Sequence, residues 1–131
     1  MTAPITVVAA VICDGDRYLV TRRQKGVHLE GFWEFPGGKV DLSESHASAL
    51  KREIVEELSS DVEVAELLFT TTHAYPEKTV TLFFYRCRLL GTPSPQLGQD
   101  MQWVPRAQLA ALPFPPADEQ LITLLSETEA S

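Results

Sequence analysis

The chain is short of cysteine, of positive charge and of long apolar runs, and each shortage removes a class of protein. Its 2 cysteines, Cys13 and Cys87, make neither a disulfide framework nor a metal-ligand spacing. Both sit in apolar strand patterns, as small buried side chains of a reducing compartment. No apolar stretch reaches the roughly 18–20 residues that cross a bilayer. The first fifteen residues lack the basic segment of a secretory signal, and ITVVAAVIC reads as a strand. These features point to a cytoplasmic protein with no membrane partner. Lys and Arg number 11 against 18 Asp and Glu, a net charge of −7, the wrong sign for gripping a nucleic-acid polymer.

What is present suits one globular domain over residues 1–131, long enough for a proper core. Ile5 to Cys13 is nearly continuous in apolar, β-branched residues, the pattern of a buried strand. Asp14-Gly15-Asp16 makes a hairpin turn and Arg17 to Arg22 the returning strand. A polar loop follows from Gln24 to Gly31. Phe32 to Phe35 is a short strand that Pro36-Gly37-Gly38 breaks, with glycines that let backbone approach a ligand. Val62 to Tyr75 contains another strand, Tyr75 to Lys78 a turn, and Thr79 to Leu90 a strand of two faces. Val80, Leu82 and Phe84 share one face; Thr81, Phe83, Tyr85 and Cys87 share the other. After the loop Gly91 to Asp100 come a short strand at Trp103 and a helical piece from Arg106 to Leu112. Ala117 to Ser126 forms a terminal helix with Leu121, Leu124 and Leu125 inward. The pattern assigns no oligomeric state, monomer or dimer.

The most informative stretch is GFWEFPGGKVDLSESHASALKREIVEELSS, Gly31 to Ser60. It predicts a helix capped by Ser43 or Ser45, with Glu44 in its first turn. Ala47, Leu50, Ile54 and Leu58 form the apolar stripe. Glu53, Glu56 and Glu57 fall within an arc of roughly 100°. Like charges so placed weaken an isolated helix by about 0.2–0.5 kcal/mol per pair. Arg52 reaches Glu56 at i+4, but one guanidinium does not neutralise three carboxylates. A solvated acidic face is one reading of such a triplet; a site for a hard divalent cation, Mg2+ or Mn2+, is the other.

Read from Gly38, the sequence runs Gly, five residues, Glu44, seven residues, then Arg52-Glu53-Ile54-Val55-Glu56-Glu57-Leu58. This resembles the Nudix box, GX5EX7REUXEEXGU with U aliphatic, at seven of nine specified positions. Ser59 replaces the family's glycine, which supplies a left-handed cap, and Ser60 replaces an aliphatic residue. Val62 is expected to provide the missing apolar contact. ITVVAAVI, YLVTRR, FWEFPGGKV and PFPPADEQLI resemble, in order, segments of MutT-like Nudix hydrolases.

The resemblance implies an α/β (α+β) fold, a mixed β-sheet sandwiched between helices. It implies a Mg2+-dependent (Mn2+ in its place) hydrolase that converts a nucleoside triphosphate to the monophosphate and pyrophosphate. The Gly37 carbonyl, Glu53, Glu56 and Glu57 would hold metal. Glu53 would also be general base, Arg52 would orient the glutamates, and Glu44 would serve from just behind them. Arg23 would hold polyphosphate, Phe35 would line the base pocket, and His28, Gly38, Lys39 and Val80 would complete the substrate wall. MutT-like enzymes often carry a further glutamate six residues before the tryptophan of the late strand. Here that position is Leu97, and Asp100 is the nearest carboxylate in the loop.

Base identity is expected to be read at the terminal helix, which begins PPAN in the 8-oxo-guanine branch and PPAD here, with Asp118. An ionised aspartate only accepts hydrogen bonds and suits an exocyclic amine, as on cytosine. Burial can keep its proton and restore a donor. Two substrate readings therefore stand: 8-oxo-dGTP sanitation, or hydrolysis of cytidine nucleotides such as CTP, dCTP or 5-methyl-dCTP. A third, from another class, is a non-catalytic module that binds nucleotide or protein.

Overall fold

The computed structural model describes residues 4–27 and 29–127. The expectation for His28 lies outside them. Its strands are β1 (Ile5–Asp14), β2 (Arg17–Arg22), β3 (Trp33–Glu34), β4 (Gly37–Lys39), β5 (Val62–Ala74), β6 (Thr79–Leu89) and β7 (Met101–Pro105). The helices are α1 (His46–Leu58) and α2 (Glu119–Glu127), with 3-10 turns at Arg106–Ala111 and Pro116–Asp118. The sheet runs β3-β2-β1-β6-β5, with β4 also on β1 and β7 also on β2. The β1–β6 pair is parallel and the others antiparallel, so the sheet is mixed.

The unbroken apolar run of β1 follows from its central position, covered on both faces. Val8, Ala10 and Ile12 point to one side and pack with Ala49, Leu50, Ile54 and Leu58 of α1. Ala9 and Val11 point to the other and join a cluster with Leu121, Ile122 and Leu125 of α2. Helices thus cover the two faces of one mixed sheet, as expected. The two faces of β6 divide as its alternation indicates: Leu82 and Phe84 lie in the α2 layer, Phe83, Tyr85 and Cys87 in the α1 layer.

Several local expectations change. Pro36-Gly37-Gly38 does not simply end a strand, because Gly37–Lys39 is itself a strand on β1, with Gly37 opposite Ala9. A Cβ on Gly37 would lie 2.0 Å from the Val8 carbonyl oxygen. On Gly38 it would lie 2.4 Å from the Glu53 carboxyl carbon. The glycine pair is needed to press a strand between β1 and α1. Helix α1 is capped by Ser45, whose Oγ accepts the Ser48 N–H at 3.1 Å. Glu44 therefore precedes the cap and is not in the first turn. Ala49, not Ala47, is the buried alanine of α1, and Ile122 takes the inward place expected of Leu124, which is 43% exposed.

Ser59 adopts the left-handed conformation itself (φ 54, ψ 36), and its N–H donates to the Val55 carbonyl at 2.9 Å. Val62 is fully buried beside Leu58, supplying the expected apolar contact. A non-glycine residue in this conformation carries a steric penalty of roughly 1–2 kcal/mol. Ser59→Gly is therefore expected to raise stability by about 1 kcal/mol in urea titration, the gain trimmed by glycine's greater freedom when unfolded. Gly37→Ala is expected to lower it by about 3 kcal/mol, since the obstructing atom is backbone. Equal and small effects at the two sites would contradict this reading of the glycines.

Candidate active site

Arg52 lies at the centre of the charged face of α1. Its Nε and Nη2 donate to the two carboxylate oxygens of Glu44, at 2.7 and 2.9 Å. Nη1 donates to Glu53 at 2.8 Å and Nη2 to the Lys39 carbonyl at 3.1 Å. Asp41 and Glu56 stand further off, at 3.5 and 3.6 Å. The planar guanidinium ties the helix, the preceding loop and β4 into one unit. The Arg52 pair, with the Asp41 N–H, holds the Glu44 carboxyl down to about 2. Glu44 is thus a fixed counter-charge to Arg52, away from the cavity wall.

Glu53 and Glu57 are in the opposite electrostatic condition. Burial raises the pKa of Glu53 even against the Arg52 contact. Glu57 is pushed up to about 8, by burial first and then by the nearby charges of Glu34 and Glu53. Its Oε2 accepts the Gly37 N–H at 3.1 Å. Glu56 is the solvated member of the three, its side chain 58% exposed. Anionic groups this desolvated favour protonation or a cation.

The strand Gly37–Lys39 separates these glutamates from a cavity of about 300 Å³. Phe35, Val80, Leu82 and Phe84 give it an apolar side, while Arg23, Glu34, Lys39 and Lys78 give it a charged one. Phe35 is held by stacking on Phe114 (centroids 5.5 Å) and by an edge contact with Phe84 (6.1 Å). Asp118 lines the same cavity and is only 4% exposed. Burial, with the charge of Glu34, pushes its pKa up to about 7. The cavity thus brings Arg23, Phe35, Gly37, Gly38, Lys39, Val80 and Asp118 together. Arg52, Glu44 and Glu56 lie off its wall, and Glu53 and Glu57 meet it only through the two glycines.

Sequence reasoning passed over Glu34. It pairs with Arg23 at 2.9 Å, and burial raises its pKa in spite of that partner. Its charge acts on both Glu57 and Asp118, so it connects the helix glutamates with the far end of the cavity. The signal was available: a single carboxylate alternating with Trp33 and Phe35 in an otherwise apolar strand.

The loop before β7 does not bring a carboxylate to Glu53 or Glu57. Leu97 is 55% exposed. Asp100 faces Arg22 at 3.8 Å across a second, shallower cleft, and its carbonyl accepts the Arg22 N–H at 3.0 Å. That bond fixes the register and opposes a slide of Asp100 towards the helix.

Among the described residues, no three acidic, histidine or cysteine side chains converge closely enough to close a metal coordination sphere. Glu53 is turned to Arg52 and Glu57 to the Gly37 N–H. The donor chemistry nevertheless fits a hard divalent cation. It is made of carboxylate oxygens, and two of the carboxyls lack counter-charge in proportion to their burial.

The NUDIX domain family model matches residues 7–124. An 8-oxo-dGTP diphosphatase of Haemophilus influenzae is 41% identical over 128 residues, covering 95% of this chain and 93% of that protein. A CTP pyrophosphohydrolase of Escherichia coli is 31% identical, covering 90% and 88%. The crystal structure of a MutT NUDIX hydrolase from Burkholderia pseudomallei superposes with a TM-score of 0.80 at 29% identity, covering 97% of this chain and 100% of that one. With the box acids on one helix and the glycine strand set against them, the chain belongs to the Nudix family as a MutT-like hydrolase of phosphoric anhydrides.

Proposed function

We propose that the protein is a Mg2+-dependent nucleoside triphosphate pyrophosphohydrolase that removes 8-oxo-dGTP from the nucleotide pool. The observation that carries this reading is the placement of Asp118, only 4% exposed in the cavity wall, where burial favours its protonated form. A protonated carboxyl both donates and accepts, the pair of functions that an 8-oxo-guanine edge presents. Similarity to 8-oxo-dGTP diphosphatases over most of the chain supports the same choice. Ionised, the same side chain only accepts, which favours the exocyclic amine of cytosine. That is the specific ground for a second reading, a cytidine nucleotide pyrophosphohydrolase.

In this reading Phe35, Val80 and Phe84 receive the base on their apolar side, and Asp118 fixes its orientation. Arg23 and Lys39 face the polyphosphate. Glu53, Glu56, Glu57 and the Gly37 carbonyl would hold the cation, which when bound would supply charge neutralisation on the phosphates and acidify water. Glu53 accepts the proton of the attacking water, and Arg52 keeps that carboxylate oriented through its 2.8 Å contact. Glu44 holds Arg52.

Two measurements test this. Glu53→Gln is expected to lower pyrophosphate release by roughly 10²–10⁴-fold while thermal stability is kept; an unchanged rate removes the proposal. The ratio of kcat/KM for 8-oxo-dGTP over dCTP is expected to fall by at least about tenfold between pH 6 and pH 8.5, as Asp118 loses its donor. A ratio independent of pH, or dCTP preferred throughout, favours the cytidine reading.

Stability carries the same signature. Asp118 has a raised pKa in the folded chain, so between about pH 4 and pH 7 the unfolded chain ionises it and the folded chain resists. Its contribution to stability falls as pH rises through that window and levels off above it. Asp118→Asn is therefore expected to raise the thermal midpoint at pH 8 and to change it little at pH 4. The reverse order would show that Asp118 is stabilised as an anion.

A further inference from the structure

We propose that Gln99 is a positioning residue for Glu57, a clamp between the loop before β7 and the last turn of the helix that carries the metal-binding glutamates. A helix ends with carbonyls that have no partner of its own. In α1 they are met by this loop: the Ser94 N–H donates to the Leu58 carbonyl at 2.8 Å and the Gln96 N–H to the Glu57 carbonyl at 2.9 Å. Gln99 adds a side chain to these caps. Its Nε2 donates to the same Glu57 carbonyl at 3.2 Å, and its Oε1 accepts the Leu97 N–H at 2.9 Å. Gln99 is 8% exposed, one of the few buried polar residues outside the cavity. An amide has the donor and the acceptor that this bridge needs; a glutamate or a leucine does not.

The bridge matters because Glu57 is fixed at both ends. Its side chain takes the Gly37 N–H, and its backbone carbonyl takes two donors from the loop. The loop is anchored in turn to β2 and the residue after Arg23: Gln24 donates to the Leu97 carbonyl and Arg22 to that of Asp100. Gly98, at φ +75, allows the tight turn between these anchors. The loop that lacks a carboxylate at Leu97 thus contributes to the site by placement of Glu57. Without the Gln99 amide the Glu57 carbonyl keeps only the Gln96 N–H among these donors and the Leu97 N–H loses its acceptor, which loosens the loop's hold on the terminal turn.

This inference rests on the proposed metal role of Glu57, and the test separates the two. In nucleotide-free protein, Mn2+ affinity is measured by calorimetry and amide exchange at Gly37 and Gln96 by NMR. These are compared for wild type, Gln99→Leu, Gln99→Glu and Leu109→Ala. Leu109 is a fully buried core residue of the α2 layer and serves as a control for lost stability. Both Gln99 variants are expected to bind Mn2+ at least threefold more weakly and to exchange the Gly37 amide at least tenfold faster. The Leu109 variant is expected to match wild type on both. Gln99→Glu preserves shape and so remains informative where Gln99→Leu fails to fold. Wild-type affinity and Gly37 protection in the Gln99 variants would overturn the inference, as would the same losses in Leu109→Ala. If wild type binds no Mn2+, the metal role of Glu57 falls, and Gly37 exchange alone decides whether Gln99 positions that side chain.

Discussion

The structure depends on how it manages buried negative charge. Glu34, Glu53, Glu57 and Asp118 are drawn in around β4, the first and last in the cavity wall and the other two on the α1 side against Gly38 and Gly37. Burial is the first cause of the raised pKa of each. Arg23 pairs with Glu34 and Arg52 with Glu53. Among the described residues neither Glu57 nor Asp118 has such an ion pair, and they are the two pushed furthest, to about 8 and about 7. A fold does not gather carboxyls this way for stability. The arrangement has a purpose when a cation or a substrate edge completes it, which is the condition expected of an enzyme acting on phosphoric anhydrides.

The two ends of this system are joined mechanically as well as electrostatically. Strand β4 lies against β1 on one side and Glu53 on the other, so Gly37 and Gly38 transmit the position of α1 to the cavity wall. Phe35 and Glu34, just before them, contribute to the same wall. A displacement of the helix by a few tenths of an ångström would be felt in the cavity, because no side chain intervenes at the glycines.

Much of this was legible in the sequence. The spacing from Gly38 through Glu44 to Glu57 placed the acids, and alternation along β1 and β6 placed the core, because local periodicity reports burial directly. The errors arose where a tertiary contact decides. Glu44 reads as a first-turn acid, but the Ser45 cap leaves it outside the helix. Its role as the partner of Arg52, eight residues on, is visible only in the folded chain. Pro36-Gly37-Gly38 reads as a break because its pairing partner, β1, lies some thirty residues upstream in sequence, beyond any local window. Gln99 escaped notice for the same reason, since its partner at Glu57 is announced by no periodicity; for Glu34 the alternation with Trp33 and Phe35 marked the residue, but not its partners at Arg23 and Asp118. Ser59 shows the converse, a departure from the family pattern that the backbone absorbs by taking up the glycine conformation unchanged.

The most direct test of this electrostatic account is a carbon-detected NMR titration of the side-chain carboxyls in metal-free protein from pH 3 to pH 9. The expected result is that Glu57 titrates near 8 and Asp118 near 7, while Glu44 stays ionised down to about 2. If Glu57 and Asp118 instead titrate near 4, their carboxyls are solvated, and neither the cation-demanding cluster nor the protonated base-reading group exists in the form described.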